Sequence, residues 1–154
     1  METGATEKQK LFEKLCKDAD IECYLSANIR QTVWEKFLFI SAMASSTSYL
    51  DLCIGEIMAN PEHKALLLGL IEELKSVADK LGISLANNIV AKTMLRAQSL
   101  PFETTSSMHS DFKKGGKTEL ETLTGYVVKL GQKLQVETPL YAKVYEGLLA
   151  KNKS

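Results

Sequence analysis

A lysine at position 36 stands inside an apolar helical stretch, after Val33-Trp34 and before Phe37-Leu38-Phe39-Ile40 and Ala42-Met43-Ala44. An ammonium among such neighbours costs free energy unless a partner offsets it, and lysines so placed serve readily as proton donors or bases. Further along comes a polar island, Ser106-Ser107-Met108-His109-Ser110-Asp111, followed by Gly115-Gly116-Lys117-Thr118-Glu119. A carboxylate from that island could be the lysine's partner. The expectation is a poorly hydrated cleft in which one positive and one negative side chain meet.

Each of these residues also has a structural explanation. The Lys36 stem can lie on apolar surface while its head reaches water. Ser107 can cap a helix or close a hydroxyl turn before Asp111. Glu119 suits a first helical turn, where the macrodipole favours an acid. Gly116-Lys117-Thr118 imitates the end of a phosphate-binding loop, but that motif's first glycine falls on Asp111 and no strand feeds it. A glycine turn before a capped helix accounts for it better.

Metal chemistry has no support in the spacing: His63 and His109 lack companions, and Cys16, Cys23 and Cys53 form no C-x-x-C pair. Lysine plus arginine equal aspartate plus glutamate at 19 each, so no positive field gathers nucleic acid or an acidic membrane. The N-terminal residues are polar and charged, and the longest apolar run, Phe37 to Ile40, is too short to span a bilayer. A soluble, cytoplasmic protein with reduced cysteines is expected.

The positions that must carry this chemistry read as helices. Leu11, Phe12, Leu15, Cys16 and Ala19 form one face of an amphipathic helix over residues 7–20, and Ile21 to Leu25 reads as a short extended piece with no evident partner strand. Residues 30–49 are apolar almost all round, the mark of a helix buried on most sides. Asn60-Pro61 is a helix start, with Leu67, Leu70, Ile71, Leu74, Val77, Ala78 and Leu81 on the inner face and Gly82 as the stop. A further helix is expected from Ser84 to about Gln98. Thr118-x-x-Glu121 has the form of a capping box before Leu120, Leu123, Val127, Leu130 and Leu134. Gly125 inside that helix implies close approach of another backbone or a ligand. A last helix starts at Pro139. The sum is an all-α bundle of about six helices in a chain of 154 residues, one domain's worth.

Taken jointly, the motifs resemble a known family. Trp34-x-Lys36-Phe37, then Pro61, Glu72, Val77-Ala78 and Gly82, then Ser106-Ser107-Met108-x-x-Asp111, Gly116-x-Thr118-Glu119-Leu120 and Thr138-Pro139 look like the C-terminal domain of ketopantoate reductase, or 2-dehydropantoate 2-reductase. The resemblance covers roughly residues 28–150, and its helical fold is that of the 6-phosphogluconate dehydrogenase-like proteins. It implies an oxidoreductase of pantothenate synthesis in which an N-terminal Rossmann domain binds NADPH and the helical domain closes over a 2-oxo acid. No G-x-G-x-x-G follows a strand in this chain, so cofactor-binding residues are expected outside it. Residues 1–27 would be the end of that first domain and residues 28–154 the substrate-binding domain. On this resemblance the chain is incomplete by itself.

The resemblance places the family's catalytic lysine on Lys36, its active-site glutamate on Glu119 and a carboxylate-holding serine on Ser107. Hydride arriving at a ketone carbon leaves an alkoxide, which Lys36 would protonate. Glu119 would accept a hydrogen bond from the new hydroxyl, and Ser107 would donate to the substrate carboxylate. One departure is plain: the family's asparagines four and eight residues after the lysine are here Ile40 and Ala44. Ser41 and Ser45, about 100° further round the helix, do not substitute. Two alternatives therefore stay open, a reductase of a more apolar 2-oxo acid and a non-catalytic dimerisation or interaction module. A homodimer is open on either.

Overall fold

Asn60 and Pro61 start the helix around which the others gather. The Asn60 side chain accepts from the backbone N–H groups of Glu62 (2.8 Å) and His63 (3.2 Å), and proline costs nothing at a position whose N–H has no helical partner. The computed structural model describes residues 5–151. They contain α1 (Glu7–Asp18), α2 (Ile29–Leu50), α3 (Ile54–Ala59), α4 (Pro61–Lys80), α5 (Ile89–Gln98), α6 (Ser107–Lys114), a π-helical turn (Glu121–Gly125) running directly into α7 (Tyr126–Leu134), and α8 (Pro139–Lys151). No strand occurs among the described residues, so Ile21 to Leu25 is extended but unpaired.

The all-α expectation holds, with two short helices added. α3 and α6 run for 6 and 8 residues, too short for a clear apolar period. Residues 84–88, expected to be helical, are irregular, and α5 begins only at Ile89.

α2 and α4 pack along one another, and α2 also touches α6, α8 and the π turn. Leu38, Ile54, Ile57, Leu67, Leu70, Ile71, Leu74, Met108 and Leu148 are fully buried between these helices. α8 is anchored from α4: the half-buried Glu73 carboxylate accepts from Leu140 N (2.8 Å) and Tyr141 N (3.0 Å), capping in trans a helix whose first residue is proline. Burial holds the Glu73 carboxyl above the usual carboxylate range. At the other end of α8, Lys151 Nζ donates to the carbonyls of Ser48 (3.1 Å) and Tyr49 (2.8 Å), closing the C-terminus of α2.

α1 buries none of its residues. It is tied back to the extended piece by Leu25 N donating to Glu13 Oε1 (3.0 Å). Phe12 at 63 % exposure and Tyr24 at 69 %, with Leu11, Leu15 and Ile21, leave an apolar face without a partner among the described residues.

Candidate functional site

α2 carries two stripes of side chains because residues four, seven or eleven positions apart return to the same face. The inward stripe begins at Phe37 and continues through Ser41 and Ser45. Ser41 Oγ lies 2.8 Å from both the Leu123 carbonyl and Tyr141 Oη. Its single O–H goes to the carbonyl, so the tyrosine donates to the serine. Complete burial pushes the Tyr141 phenol far above its ordinary range. Ser45 Oγ pairs with Thr124 Oγ1 at 2.8 Å. Both serine hydroxyls are thus committed to the interior.

The second stripe is Lys36, Ile40, Met43 and Thr47. Thr47 donates to the Met43 carbonyl at 2.8 Å and accepts from Ser106 Oγ, also at 2.8 Å. Ser106 is the N-cap of α6 and accepts from His109 N (3.1 Å). Ser107 follows as the first helical residue, so the helix bearing Lys36 also fixes where Ser107 begins α6. Glu119 sits at the entry to the π turn, its carbonyl accepting from Thr122 N (3.1 Å) and Leu123 N (2.9 Å). That backbone position is set by Leu123 and Thr124, which α2 holds.

Lys36, Ser107 and Glu119 are all exposed. Among the described residues none of the three side chains makes a hydrogen bond or ion pair, in contrast to their neighbours Thr47, Ser106 and Ser41. The expected ion pair between Lys36 and Glu119 is not formed, and the expectation of a desolvated lysine is corrected with it. Residues 41–48 of α2 are buried throughout, whereas further toward its N-terminus only one face is covered, that of Trp34, Phe37 and Leu38, and Lys36 lies exposed, so the ammonium is hydrated. Lys36 and Thr47 are three turns apart, about 16 Å along the axis. No hydrogen bond or ion pair joins the three candidate residues, and Lys36 lies on an exposed face of α2. Ile40 emerges on that face at 36 % exposure, whereas Ala44 is buried.

Three features escape sequence reasoning. His109, nearly fully buried, spans from Thr105 Oγ1 (2.5 Å) to Asp51 Oδ1 (2.6 Å) and so joins α6 to the left-handed residue that ends α2. The His109 ring and the Lys113 ammonium hold the Asp51 carboxyl below its usual range. Only the four-residue spacing of Thr105 and His109 hints at this. Second, the Thr118–Glu121 capping box is not formed. Glu121 instead accepts from Lys129 Nζ (2.5 Å) and from Tyr145 Oη, and these donors hold its carboxyl below the usual range. Third, the close approach expected at Gly125 is made by a side chain rather than by another backbone: a Cβ there would meet Tyr145 Cε2 at 2.9 Å.

Residues 28–152 match the family described as "Ketopantoate reductase PanE/ApbA C terminal". Among curated relatives, an oxidoreductase of Bacillus subtilis called YkpB, itself uncharacterized, is 27 % identical over 143 residues, covering 93 % of this chain and 47 % of its own length. The 2-dehydropantoate 2-reductase of Pyrobaculum aerophilum is 30 % identical over 118 residues, 77 % of this chain and 42 % of the relative. The dimeric ketopantoate reductase of Staphylococcus aureus superposes with a TM-score of 0.88 at 27 % identity, over 97 % of this chain and 52 % of that structure. A D-mandelate dehydrogenase solved with NADH and anilino(oxo)acetate shares the fold at 22 % identity and a TM-score of 0.82, over 97 % of this chain and 50 % of that one. The chain spans about half the length of these relatives. With the helical architecture and the matched residues 28–152 in agreement, this chain belongs to the ketopantoate reductase family, whose C-terminal domain it contains.

Proposed function

We propose that this chain is the substrate-binding half of a nicotinamide-dependent reductase that converts 2-dehydropantoate to pantoate, with Lys36 as proton donor, Glu119 as hydroxyl acceptor and Ser107 as carboxylate donor. The observation that carries this reading is the state of those three side chains. The resemblance puts them at the family's functional positions, and in the structure each is exposed with no hydrogen bond or ion pair among the described residues, while Ser41, Thr47 and Ser106 are spent on holding the fold. An ammonium free of a counter-ion can protonate an alkoxide forming on a carbonyl oxygen, and a hydroxyl at the first turn of a helix suits a carboxylate.

The residues of this chain do not fit a nicotinamide cofactor by themselves, since there is no glycine-rich strand-turn-helix to take its phosphates. NADPH would be held by an N-terminal Rossmann domain, whose last helix and strand would be residues 1–27, with residues 28–154 as the substrate domain. The uncovered apolar face of α1 and the extended piece supports this assignment. A second copy of the chain would be a further partner, as in the dimeric Staphylococcus aureus relative, and a cytoplasmic setting fits the reaction.

Ile40 favours a second reading of the substrate. It presents hydrocarbon one turn from Lys36 on the open stripe, where a hydroxylated acid would need a polar group. The enzyme would then prefer a 2-oxo acid with an apolar side chain.

The test is a fusion of this chain to the Rossmann half of the Staphylococcus aureus enzyme, assayed for NADPH consumption with ketopantoate and a panel of 2-oxo acids. Reduction that Lys36→Ala lowers by about 10²-fold or more supports the proposal. A folded, NADPH-binding fusion that reduces none of the acids overturns it, and the order of preference within the panel decides between the two substrates.

A further inference from the structure

Few groups make the contact between α1 and the extended piece that follows it. Every residue of α1 is exposed except Glu13 and Cys16, which are one turn apart on the same face. In the extended piece Cys23 and Leu25 are half-buried while Ile21, Glu22 and Tyr24 are exposed, the alternation of a strand-like segment with one covered side. The register between the two is fixed at both ends. Asp20, in the left-handed region at φ 56, turns the chain back, and Ile21 N donates to the Cys16 carbonyl at 2.9 Å, the closing bond of a Schellman turn. Leu25 N donates to Glu13 Oε1 at 3.0 Å.

Position 23 lies midway between these ties, and its covered side faces the only covered side of α1. The Cys16 and Cys23 thiols are therefore what shield each other, and both are free. They are hydrogen-bonding neighbours, and burial together with that neighbour holds the Cys16 thiol above its ordinary range. Little else restrains α1. It buries none of its residues, and its ion pairs, Lys10 with Glu7, Lys14 with Asp18 and Lys17 with Glu13, run along the helix itself. An element held so weakly opens locally at small cost, so a covalent bond at this contact changes its behaviour most.

We propose that Cys16 and Cys23 form a reversible redox site, which closes to a disulfide and clamps α1 to the extended piece. The oxidant is a low-molecular-weight disulfide. The Cys23 thiolate attacks one sulfur of that molecule and expels the other as a thiolate. Cys16 then loses its proton to water and attacks the Cys23 sulfur, expelling the second thiolate. Two protein thiols have become one disulfide and the small disulfide has been reduced to two thiols, so no further reactant is needed. Cys16 acts second because a thiol with little thiolate attacks best when the sulfur is already presented to it. The site is separate from the residues assigned to reduction, and its test does not depend on that assignment.

The test exposes the folded chain to glutathione disulfide at neutral pH and follows its three cysteines by mass mapping and its backbone by amide hydrogen exchange. An internal Cys16–Cys23 disulfide is expected, while Cys53, at the N-cap of α3, stays outside it. In Cys16→Ser the glutathione adduct on Cys23 should accumulate to at least about ten times its level in the unaltered chain, because no second thiol displaces it. Exchange of the amides over residues 13–25 should slow at least about tenfold on oxidation and recover with dithiothreitol. Adducts that persist on both thiols, pairing of either one with Cys53 or with a second chain, or an internal disulfide that leaves exchange unchanged overturns the proposal.

Discussion

Thr47 Oγ1 on α2 and Ser106 Oγ at the start of α6 lie 2.8 Å apart, and through this bond the helix that carries Lys36 fixes the first turn that carries Ser107. Thr47→Val keeps the shape but leaves the Ser106 hydroxyl without its acceptor, and Ser106→Ala removes the N-cap as well. Each should cost about 1–2 kcal/mol in urea unfolding. Because the two residues share the bond, the double variant should cost about 1 kcal/mol less than the summed singles. Full additivity would mean that the two helices are held by packing alone.

Lys36 should be dispensable for stability. It is exposed and unpaired among the described residues, so Lys36→Ala should shift the unfolding free energy by no more than about 0.5 kcal/mol. The same substitution in the fusion enzyme is expected to act on kcat. A large loss of stability in the chain itself would show that the lysine serves the fold.

Glu73 should give stability an unusual dependence on pH. Its folded carboxyl lies above the usual range because burial disfavours the anion. The folded state therefore holds the proton more tightly than the unfolded chain. The corresponding stabilisation is complete below the unfolded pKa and is lost as pH rises through the folded one. Glu73→Gln, which keeps an acceptor for the start of α8, should flatten that decline. Glu73→Ala should cost about 1–2 kcal/mol through loss of the cap. Stability curves across the acidic range, measured on all three proteins, check both statements.

Gly125→Ala should destabilise the domain although alanine is the better helix former by about 1 kcal/mol. The new Cβ would meet Tyr145 Cε2 at 2.9 Å and Glu121 Oε2 at 3.2 Å, while the backbone at φ −60 is open to any residue. In a Tyr145→Ala background the ring is gone and the end of the flexible Glu121 side chain can give way, so the sign should reverse, to a gain of about 1 kcal/mol. Thermal melts of the four proteins give the comparison.

The amino-acid sequence by itself determined the helical class, the inner face of α4 with its Asn60-Pro61 start and Gly82 stop, and the order of motifs that marks the family. These are local properties, readable from the period of apolar residues and from cap chemistry. Tertiary structure decided how Lys36, Glu119 and Ser107 stand. Whether a lysine in an apolar run is desolvated depends on which helices cover that stretch, and here cover extends over residues 41–48 and leaves position 36 in water. It also decided that Ser41 and Ser45 point inward, that Glu121 serves Lys129 and Tyr145 instead of a cap, and that His109 reaches Asp51. Those partners lie between 8 and 100 positions apart in the chain. Only packing brings such groups together, so no local pattern could have announced them.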